Sequence, residues 1–339
     1  LFVRLVHGLD ADLGSHRLKD LGRAEHVWQL CSPECRADFP PLRSLDAFGH
    51  NLPTRLTRLV GRESDTVAVT TALADSRLVT LVGTGGVGKT RLALQVAAEL
   101  VDQFDGGVWW VELASLADPP SMPGAVLAAM GVPVQPGVRP VRSLGDQLGG
   151  RRALFVLDNC EHLIGACARF ADELLTALPA VITMATSREP LGVPGETVWR
   201  VPSLELPAVT VSHTAESIEV SDAARLFVER ARHARPGLIL TSEAANYVAQ
   251  ICRRLDGIPL SIELAAARCR NLSVEQIARE LDDRFRLLTG GARTVLARQQ
   301  TLKASIDWSH DLLETAERAA LRRLGVFVGP FTMDSASAV

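Results

Sequence analysis

The sequence predicts an α/β fold, in which a parallel sheet carries helices on both faces and an all-helical domain follows. Two patterns lead to this prediction. From about Arg62, short apolar runs typical of buried strands alternate with amphipathic stretches of helical period. After about Ser221 the strand-like runs stop, and four successive segments have helical period. The 339 residues are enough for about two domains, since domains commonly have roughly 100–200 residues.

The elements predicted for the first domain are a strand, a helix, two strands, a helix and a strand. In chain order they are RLVTLVG, KTRLALQVAAELVDQF, GGVWWVELA, RRALFVLDN, LIGACARFADELLTAL and AVITMATS. The helical segments that follow are SDAARLFVERARHA, TSEAANYVAQICRRL, PLSIELAAARCR and SVEQIARELDDRFRLL. Each of these begins at a Ser, Thr or Pro, which are the residues preferred at helix starts.

The first part of the chain has a different pattern. SHRLKDLG and EHVWQLC predict the two strands of a hairpin, with Gly22 and Arg23 near the turn. The proline-containing stretch SPECRADFPPLRSLDAFGHNLP predicts a linker. The expected ranges are 1–32 for the hairpin, 33–55 for the linker, 56–215 for the sheet domain, 216–295 for the helical domain and 296–339 for the start of a further helical unit.

Charge and composition limit the classes of partner. The net charge of −3 gives no general attraction to nucleic acid. No apolar run approaches the length of a membrane span, and no basic stretch precedes an apolar run at the start, so we expect a soluble, cytoplasmic protein with no membrane partner. The six cysteines have no disulfide-framework spacing. Cys31 and Cys35 lie near His26 but lack a second ligand pair, so we expect no zinc site.

A glycine-rich loop, GTGGVGKT, covers Gly83 to Thr90 and fits the pattern G-x-x-x-x-G-K-[ST] between a predicted strand and a predicted helix. Its backbone N–H groups and the helix N-terminus would surround a phosphate. Lys89 would reach the β- and γ-phosphates, and the Thr90 hydroxyl would bind Mg²⁺. Only three of the 36 basic residues are lysines, which weighs against a chance match. The loop therefore predicts binding of a nucleotide.

The strand ALFVLD ends at Asp158, which we predict to bind Mg²⁺ together with Thr90. The alternative is a core strand that ends in a capping aspartate. Asn159 follows, and an amide cannot act as a general base. Glu161 is the nearest carboxylate that can orient water, so we expect slow turnover.

The next predicted strand ends in Thr-Ser-Arg, which places Arg188 at the carboxyl edge of the sheet. Ligands of open α/β sheets bind at this edge, so we predict that Arg188 senses the γ-phosphate. The alternative is a solvated surface arginine.

Five stretches, LVGRE, GTGGVGKT, LFVLDN, TSR and LDGIPLSIELAA, resemble in this order the signal-transduction ATPases of the STAND class. This class includes the NB-ARC proteins of cell-death and plant immune receptors and many large bacterial LuxR-type regulators. The resemblance covers about residues 55–335. It implies that Val60 and Arg62 lie near the adenine and phosphates, and that Pro259 packs against the nucleotide. Pro259 also suits the first position of a helix.

Motif and resemblance together give a set of expected site residues. The expected catalytic residues are Lys89, Asp158, Glu161 and Arg188. The expected nucleotide contacts are Val60, Arg62, Gly83, Gly85, Gly86, Val87, Gly88, Lys89, Thr90, Arg91 and Pro259. Asn159 departs from the paired acidic residues of many eukaryotic relatives, and the closing histidine motif of the family is not recognised.

The two flanking regions also resemble known domains. QQTLKASIDWSHDLL resembles the entry to the family's winged-helix domain, and LGSHRLKDLGRAEHVWQL resembles the C-terminal hairpin of a class III nucleotide cyclase. The cyclase metal-binding aspartates would lie upstream of Leu1, so we expect no cyclase activity.

The resemblance implies a switch that binds ATP or ADP with Mg²⁺, hydrolyses ATP slowly and self-associates in the ATP state. DNA would be contacted only through a C-terminal domain outside this chain. Two alternatives stay open, a conventional ATPase with continuous turnover and a regulator that binds DNA directly.

Overall fold

The computed structural model describes residues 10–16, 25–30, 49–54, 57–116, 118–209, 213–281, 310, 313–327 and 331–339. The chain divides into two compact units. The sheet unit comprises Leu1–Thr57, Asp65–Val82 and Thr90–Trp199, and the helical unit comprises Arg58–Ser64, Gly83–Lys89 and Arg200–Val339. The glycine-rich loop therefore belongs to the same unit as the helices, and the domain limits expected above stay a prediction.

Near the start of the chain, strand β1 (Asp10–His16) pairs antiparallel with β2 (Glu25–Leu30), with a shift of register between Asp12 and Gly14. The second strand matches the predicted EHVWQLC. The first strand lies upstream of the predicted SHRLKDLG and shares only its first two residues. The position of β1 is fixed by pairing with β2, which its own polar, glycine-containing sequence does not reveal.

The sheet unit is built on five further strands. They are β3 (Leu78–Val82), β4 (Val108–Glu112), β5 (Ala153–Asp158), β6 (Val181–Ser187) and β7 (Glu196–Arg200). Their spatial order is β4-β5-β6-β3-β7, and the pairs β4–β5, β5–β6 and β6–β3 are parallel. The four predicted strands are confirmed, whereas β7 was not predicted.

Five helices accompany this sheet in the sequence. They are α1 (Glu63–Asp75), α2 (Lys89–Glu99), α3 (Met122–Ala129), α4 (Pro140–Leu148) and α5 (Ile164–Ala177). Helices α2 and α5 were predicted, and the other three were not. Helix α4 carries local signals at both ends, because Pro140 occupies its first turn and Gly149, in a left-handed conformation, ends it.

Helices cover both faces of the sheet, as the sequence predicts. Ala153, Phe155 and Leu157 point to one face of β5 and share a hydrophobic core with α3, α4 and α5. Leu154 and Val156 point to the opposite face and are also fully buried. Strands buried on both faces explain the continuous apolar runs from which the parallel sheet was predicted.

The end of the predicted linker lies along the edge strand β4. His50 forms an isolated parallel bridge with Val108, whose N–H donates to Gly49 O at 2.9 Å. The Asn51 side chain donates to Trp110 O at 2.8 Å and accepts from Trp110 N–H. This segment therefore extends the hydrogen bonding of the sheet beyond β4.

In the described residues 200–281, the helical unit has five helices around its own core. They are α6 (Ala215–Ile218), α7 (Asp222–Ala234), α8 (Ser242–Arg254), α9 (Pro259–Ala267) and α10 (Val274–Glu280). The predicted starts of α7 to α10 are confirmed: Ser221, Thr241 and Ser273 cap their helices through side-chain oxygens, and Pro259 is at the first position of α9.

Two more helices, α11 (Thr315–Leu324) and α12 (Met333–Ser337), lie in the last part of the chain. Most of the predicted winged-helix entry, residues 299–313, lies outside the described residues, as do Cys31 and Cys35. Among the helices that the structure describes, none is both long and apolar enough to cross a bilayer.

The contact between Asn51 and Trp110 can be tested by substitution. Asn51→Ala removes both hydrogen bonds, and we expect the free energy of unfolding to fall by about 1 kcal/mol. Asn51→Asp keeps the acceptor for Trp110 N–H and should give an intermediate loss. Urea unfolding followed by tryptophan fluorescence measures both. A loss no larger than that of Gln135→Ala, at an exposed loop position, would show that this side chain does not hold the segment.

Candidate functional site

The glycine-rich loop leads from the buried strand β3 to the first turn of α2. Gly86 and Gly88 have φ angles of +82° and +103°, in the left-handed region that favours glycine. The Lys89 ammonium donates to Gly83 O at 2.7 Å and to Thr84 O at 3.1 Å. Gly85 lies in the turn between Thr84 and Lys89. The side chain of Val87 is buried. The loop is therefore curled so that two of its carbonyl oxygens accept from the lysine, and contact of Lys89 with a phosphate stays a prediction.

Arg62 holds the backbone of this loop. The residue is 4% exposed, and its Nη2 donates to Val87 O at 2.9 Å and to Pro202 O at 2.7 Å. Val60 is part of the hydrophobic core formed with α7, α8 and α9. Contact of either side chain with a nucleotide stays a prediction. What the structure adds is that Arg62 connects the loop to the segment after β7.

The start of α9 lies directly against the same loop. Leu260 N–H donates to Gly86 O at 3.2 Å, and a Cβ placed on Gly86 would be 2.9 Å from Leu260 Cβ. Pro259 Cγ is 3.9 Å from the position of a Cβ on Gly88. The sequence predicted that Pro259 lies at the nucleotide; the structure places it beside the loop, while the role of Leu260 was missed. Only the fold brings Leu260 to Gly86.

In the sheet unit, Asp158 ends β5 and is 3% exposed. Its Oδ1 accepts hydrogen bonds from Thr186 Oγ1 at 2.6 Å and from Thr90 Oγ1 at 2.8 Å. Burial raises the pKa of Asp158; the two hydroxyl donors oppose this rise, and the nearby carboxylates of Glu161 and Glu112 add to it. The structure thus brings the predicted magnesium ligands Thr90 and Asp158 together.

Thr186 is a site residue to which sequence reasoning gave no role. Besides donating to Asp158, its hydroxyl accepts the N–H of Asn159 at 3.0 Å. Asn159 has φ +65° and ψ +56°, a left-handed conformation that asparagine tolerates better than most residues. The position of Thr186 at the carboxyl end of the strand beside β5 was the signal that could have revealed it.

Glu161 and Arg188, which were predicted separately, lie next to each other. Arg188 Nε is 3.7 Å from Glu161 Oε1, and the two side chains are 21% and 4% exposed. Asn159 Nδ2 donates to the same Glu161 oxygen at 3.4 Å. Arg188 is therefore mostly removed from solvent. Arg91, by contrast, is a half-buried residue of α2 that donates to the backbone and hydroxyl oxygens of Thr57.

Oxygen atoms dominate the chemistry at the end of β5. A threonine hydroxyl and an aspartate carboxylate are hard donors of the kind that Mg²⁺ prefers. Among the described residues no cluster of three or more His, Cys, Asp or Glu side chains could hold a metal ion without other ligands. The residues present therefore fit a Mg²⁺ ion that is bound together with phosphate oxygens, as in other phosphate-binding loops.

Comparison with known proteins gives relatives but no matching family model. The chain is 43% identical over 309 residues to the uncharacterized protein Rv0894 of Mycobacterium tuberculosis. The aligned residues cover 91% of this chain and 75% of Rv0894. It is 49% identical over 267 residues to the putative HTH-type transcriptional regulator Rv0890c of the same species, covering 79% of this chain and 29% of the regulator.

Among solved structures, a STAND protein with a tetratricopeptide repeat sensor from Pyrococcus horikoshii is similar over 83% of this chain and 37% of its own. The sequence identity is 15% and the TM-score 0.41.

The contact between Gly86 and α9 predicts a specific sensitivity to an added methyl group. Gly86→Ala places a Cβ against Leu260 and also in a left-handed conformation. Gly237, in the same unit, has φ +87° with nothing within 4 Å of an added Cβ, so Gly237→Ala measures the backbone cost alone, about 1–2 kcal/mol. We expect Gly86→Ala to cost about 1–3 kcal/mol more in the free energy of unfolding.

Denaturant unfolding of the two variants measures the difference. Equal losses for Gly86→Ala and Gly237→Ala would mean that α9 does not depend on close approach to the loop.

Proposed function

The chain belongs to the same family as the uncharacterized mycobacterial protein Rv0894, and on this premise we propose that it is a nucleotide-binding regulatory module, which binds ATP or ADP together with Mg²⁺. The observation that carries the proposal is the 2.8 Å hydrogen bond between Thr90 and Asp158. It joins the threonine of the glycine-rich loop to the carboxylate that ends the neighbouring buried strand, the pair that holds Mg²⁺ in P-loop NTPases.

The loop would hold the phosphates through its backbone. In a trans peptide the N–H points away from the preceding C=O, and the described peptides are all trans. Gly83 O and Thr84 O accept from Lys89, and Val87 O accepts from Arg62. The N–H groups of Thr84, Gly85 and Gly88 therefore point away from these contacts. N–H groups that are arranged in this way form an anion site at the start of a helix.

Lys89 would neutralise the β- and γ-phosphates, and Thr90, the next residue in the chain, would hold Mg²⁺ with Asp158. The bound ion would supply charge neutralisation for the phosphates. The residues of the chain do the positioning: Thr186 and Thr90 fix the orientation of the Asp158 carboxylate, and Arg62 fixes the backbone at Val87.

We propose that hydrolysis is slow. The residue after Asp158 is an asparagine, whose amide cannot accept a proton from water. Its backbone N–H is bound by Thr186 and its side chain contacts Glu161. Glu161, the nearest carboxylate in the sequence, is paired with Arg188. A chain with these residues is better suited to holding a nucleotide than to rapid turnover.

The direct contacts of the loop with the start of α9 support a role as a switch. Leu260 N–H binds Gly86 O, so a nucleotide that changes the loop also changes the support of α9. The relative Rv0890c, a putative HTH-type transcriptional regulator, shares this stretch over 29% of its length. We propose that the module controls a transcriptional regulator of this kind, with self-association in the ATP state and with DNA contacted by other parts of the regulator.

The first experiment is to purify the chain without added nucleotide, denature it and identify the released nucleotide by chromatography. We expect stoichiometric ADP. A site without nucleotide but with rapid multiple turnover of ATP would favour a conventional ATPase. Tight sequence-specific binding in a gel-shift assay would favour direct recognition of DNA.

Lys89→Ala tests the phosphate site. We expect affinity for ADP and ATP to fall by about a hundredfold or more, because loss of one partner of a desolvated charge pair costs about 2–5 kcal/mol. Calorimetry measures the change. Lys303→Ala removes one positive charge outside the motif and serves as the control. Unchanged affinity in Lys89→Ala would refute the assignment.

Asp158→Asn tests the magnesium ligand. The amide oxygen can still accept from Thr90 and Thr186, but the negative charge is lost. We expect the affinity for Mg²⁺ in the presence of ATP to fall by at least about ten- to a hundredfold, which is the loss common for residues that only support a metal ligand. ATP binding measured with Mg²⁺ and with a chelator gives this value, and Asp172→Asn on the exposed side of α5 is the matched control.

A further inference from the structure

The ion pair between Glu161 and Arg188 joins two residues at the carboxyl edge of the sheet. Glu161 lies in the short 3₁₀ turn after β5, and Arg188 is the first residue after β6. The side chain of Glu161 is 4% exposed, so its charge is removed from water and needs partners within the protein.

These partners satisfy Glu161 only in part. The 3.7 Å between Arg188 Nε and Glu161 Oε1 is too long for a hydrogen bond, and Asn159 approaches the same oxygen at 3.4 Å. Glu161 Oε2 is buried and accepts no hydrogen bond from any residue that the structure describes. Such a pair provides attraction between charges but little directional bonding, so another anion can compete for the arginine.

The pair is connected to the carboxylate of Asp158 through neighbouring residues. The Asn159 N–H donates to Thr186 Oγ1, which donates to Asp158. Glu161 follows Asp158 by three residues, and Arg188 follows Thr186 by two. If Asp158 and Thr90 hold the Mg²⁺ of a nucleotide, the γ-phosphate arrives at the edge of the sheet where Arg188 is paired.

We propose that Glu161 is a positioning residue that holds Arg188 and competes with the γ-phosphate for its guanidinium, and that this competition sets the preference of the site for ADP over ATP. The inference rests on the proposed nucleotide-binding function. With ADP the pair stays intact. With ATP, Arg188 exchanges a carboxylate for a phosphate oxygen, and binding of ATP is weaker by the free energy of the pair. Glu161 is in this account not the catalytic base.

The experiment measures the affinities of the whole chain for ADP and for a non-hydrolysable ATP analogue by calorimetry. Glu161→Gln keeps the size of the side chain and removes its charge. We expect the affinity for the ATP analogue to rise by about three- to tenfold relative to ADP, which corresponds to one modest ion pair. The ADP affinity of the variant reports whether it is folded.

Glu112→Gln is the control for the loss of a negative charge. Glu112 ends β4 opposite Asp158, and its carboxylate is close enough to raise the pKa of Asp158. It forms no ion pair with Arg188 within the described part of the chain. We expect Glu112→Gln to change both affinities together. An equal rise of the ATP-to-ADP ratio in both variants would show a general electrostatic effect and overturn the proposal.

A double-mutant cycle isolates the pair. In an Arg188→Ala background, Glu161→Gln should leave the ratio of the two affinities unchanged, because no guanidinium remains to be released. A shift of the same size in that background would contradict the proposal. Arg188→Lys, which keeps a positive charge, should retain part of the effect.

Hydrolysis rates distinguish a positioning residue from a catalytic base. If Glu161 were the base, Glu161→Gln would lower kcat by about a hundredfold or more with no change in the affinity ratio, and the proposal would be wrong. If the unmodified chain bound neither nucleotide, the proposed function itself would fail. Normal binding with an unchanged ratio in Glu161→Gln would refute only the competition.

Discussion

The buried carboxylate of Asp158 needs hydrogen-bond donors, and two elements of the sheet unit supply them. Asp158 cannot remain ionised at the end of β5 without partners, since burial opposes its charge. The donors are the hydroxyls of Thr90, in the first turn of α2, and Thr186, near the end of β6. Both elements are thereby fixed at the carboxyl edge of β5.

The loop itself depends on the helical unit. Its carbonyl oxygens accept from Lys89, from the Arg62 guanidinium and from the Leu260 N–H. Each of these donors comes from a different segment: the loop's own end, the stretch before α1 and the start of α9. Two of the three donors are therefore distant from the loop in the sequence, and Gly86 lacks a side chain where Leu260 packs. These hydrogen bonds join the loop directly to the start of α9 and to the stretch before α1.

The features that depend on neighbouring residues in the sequence could be predicted. Buried parallel strands produce continuous apolar runs, and the caps at Ser221, Thr241 and Ser273 are local hydrogen bonds, so both were predicted. Among long-range partners, the motifs predicted Thr90 with Asp158, but contacts that belong to no motif could not be predicted. Arg62 binds the carbonyl of Pro202, 140 residues later, and Thr186 finds Asp158 only because β5 and β6 are neighbours.

Some elements were missed for a second reason, which is that their signals are weak. Helix α1 is rich in threonine and valine, which favour strands, and its apolar residues do not form a clear stripe. Strand β1 contains two aspartates and a glycine, so that only its pairing partner identifies it. In both cases tertiary contacts outweigh the local preference of the residues for another secondary structure. Such contacts cannot be read from the composition of the segment.

The two cations of the proposed site differ in what an incoming phosphate has to displace. The Lys89 contacts described above include two neutral carbonyl oxygens, and those of Arg188 include the carboxylate of Glu161. A phosphate attracts an ammonium far more strongly than a carbonyl does, so under the proposed function a β-phosphate would replace these carbonyl contacts at a gain in free energy. At Arg188 one anion replaces another, and the gain is small. Under the proposed function, such a site would bind the diphosphate readily and respond to the third phosphate with a small difference in free energy, which is the property of a switch that other contacts can bias.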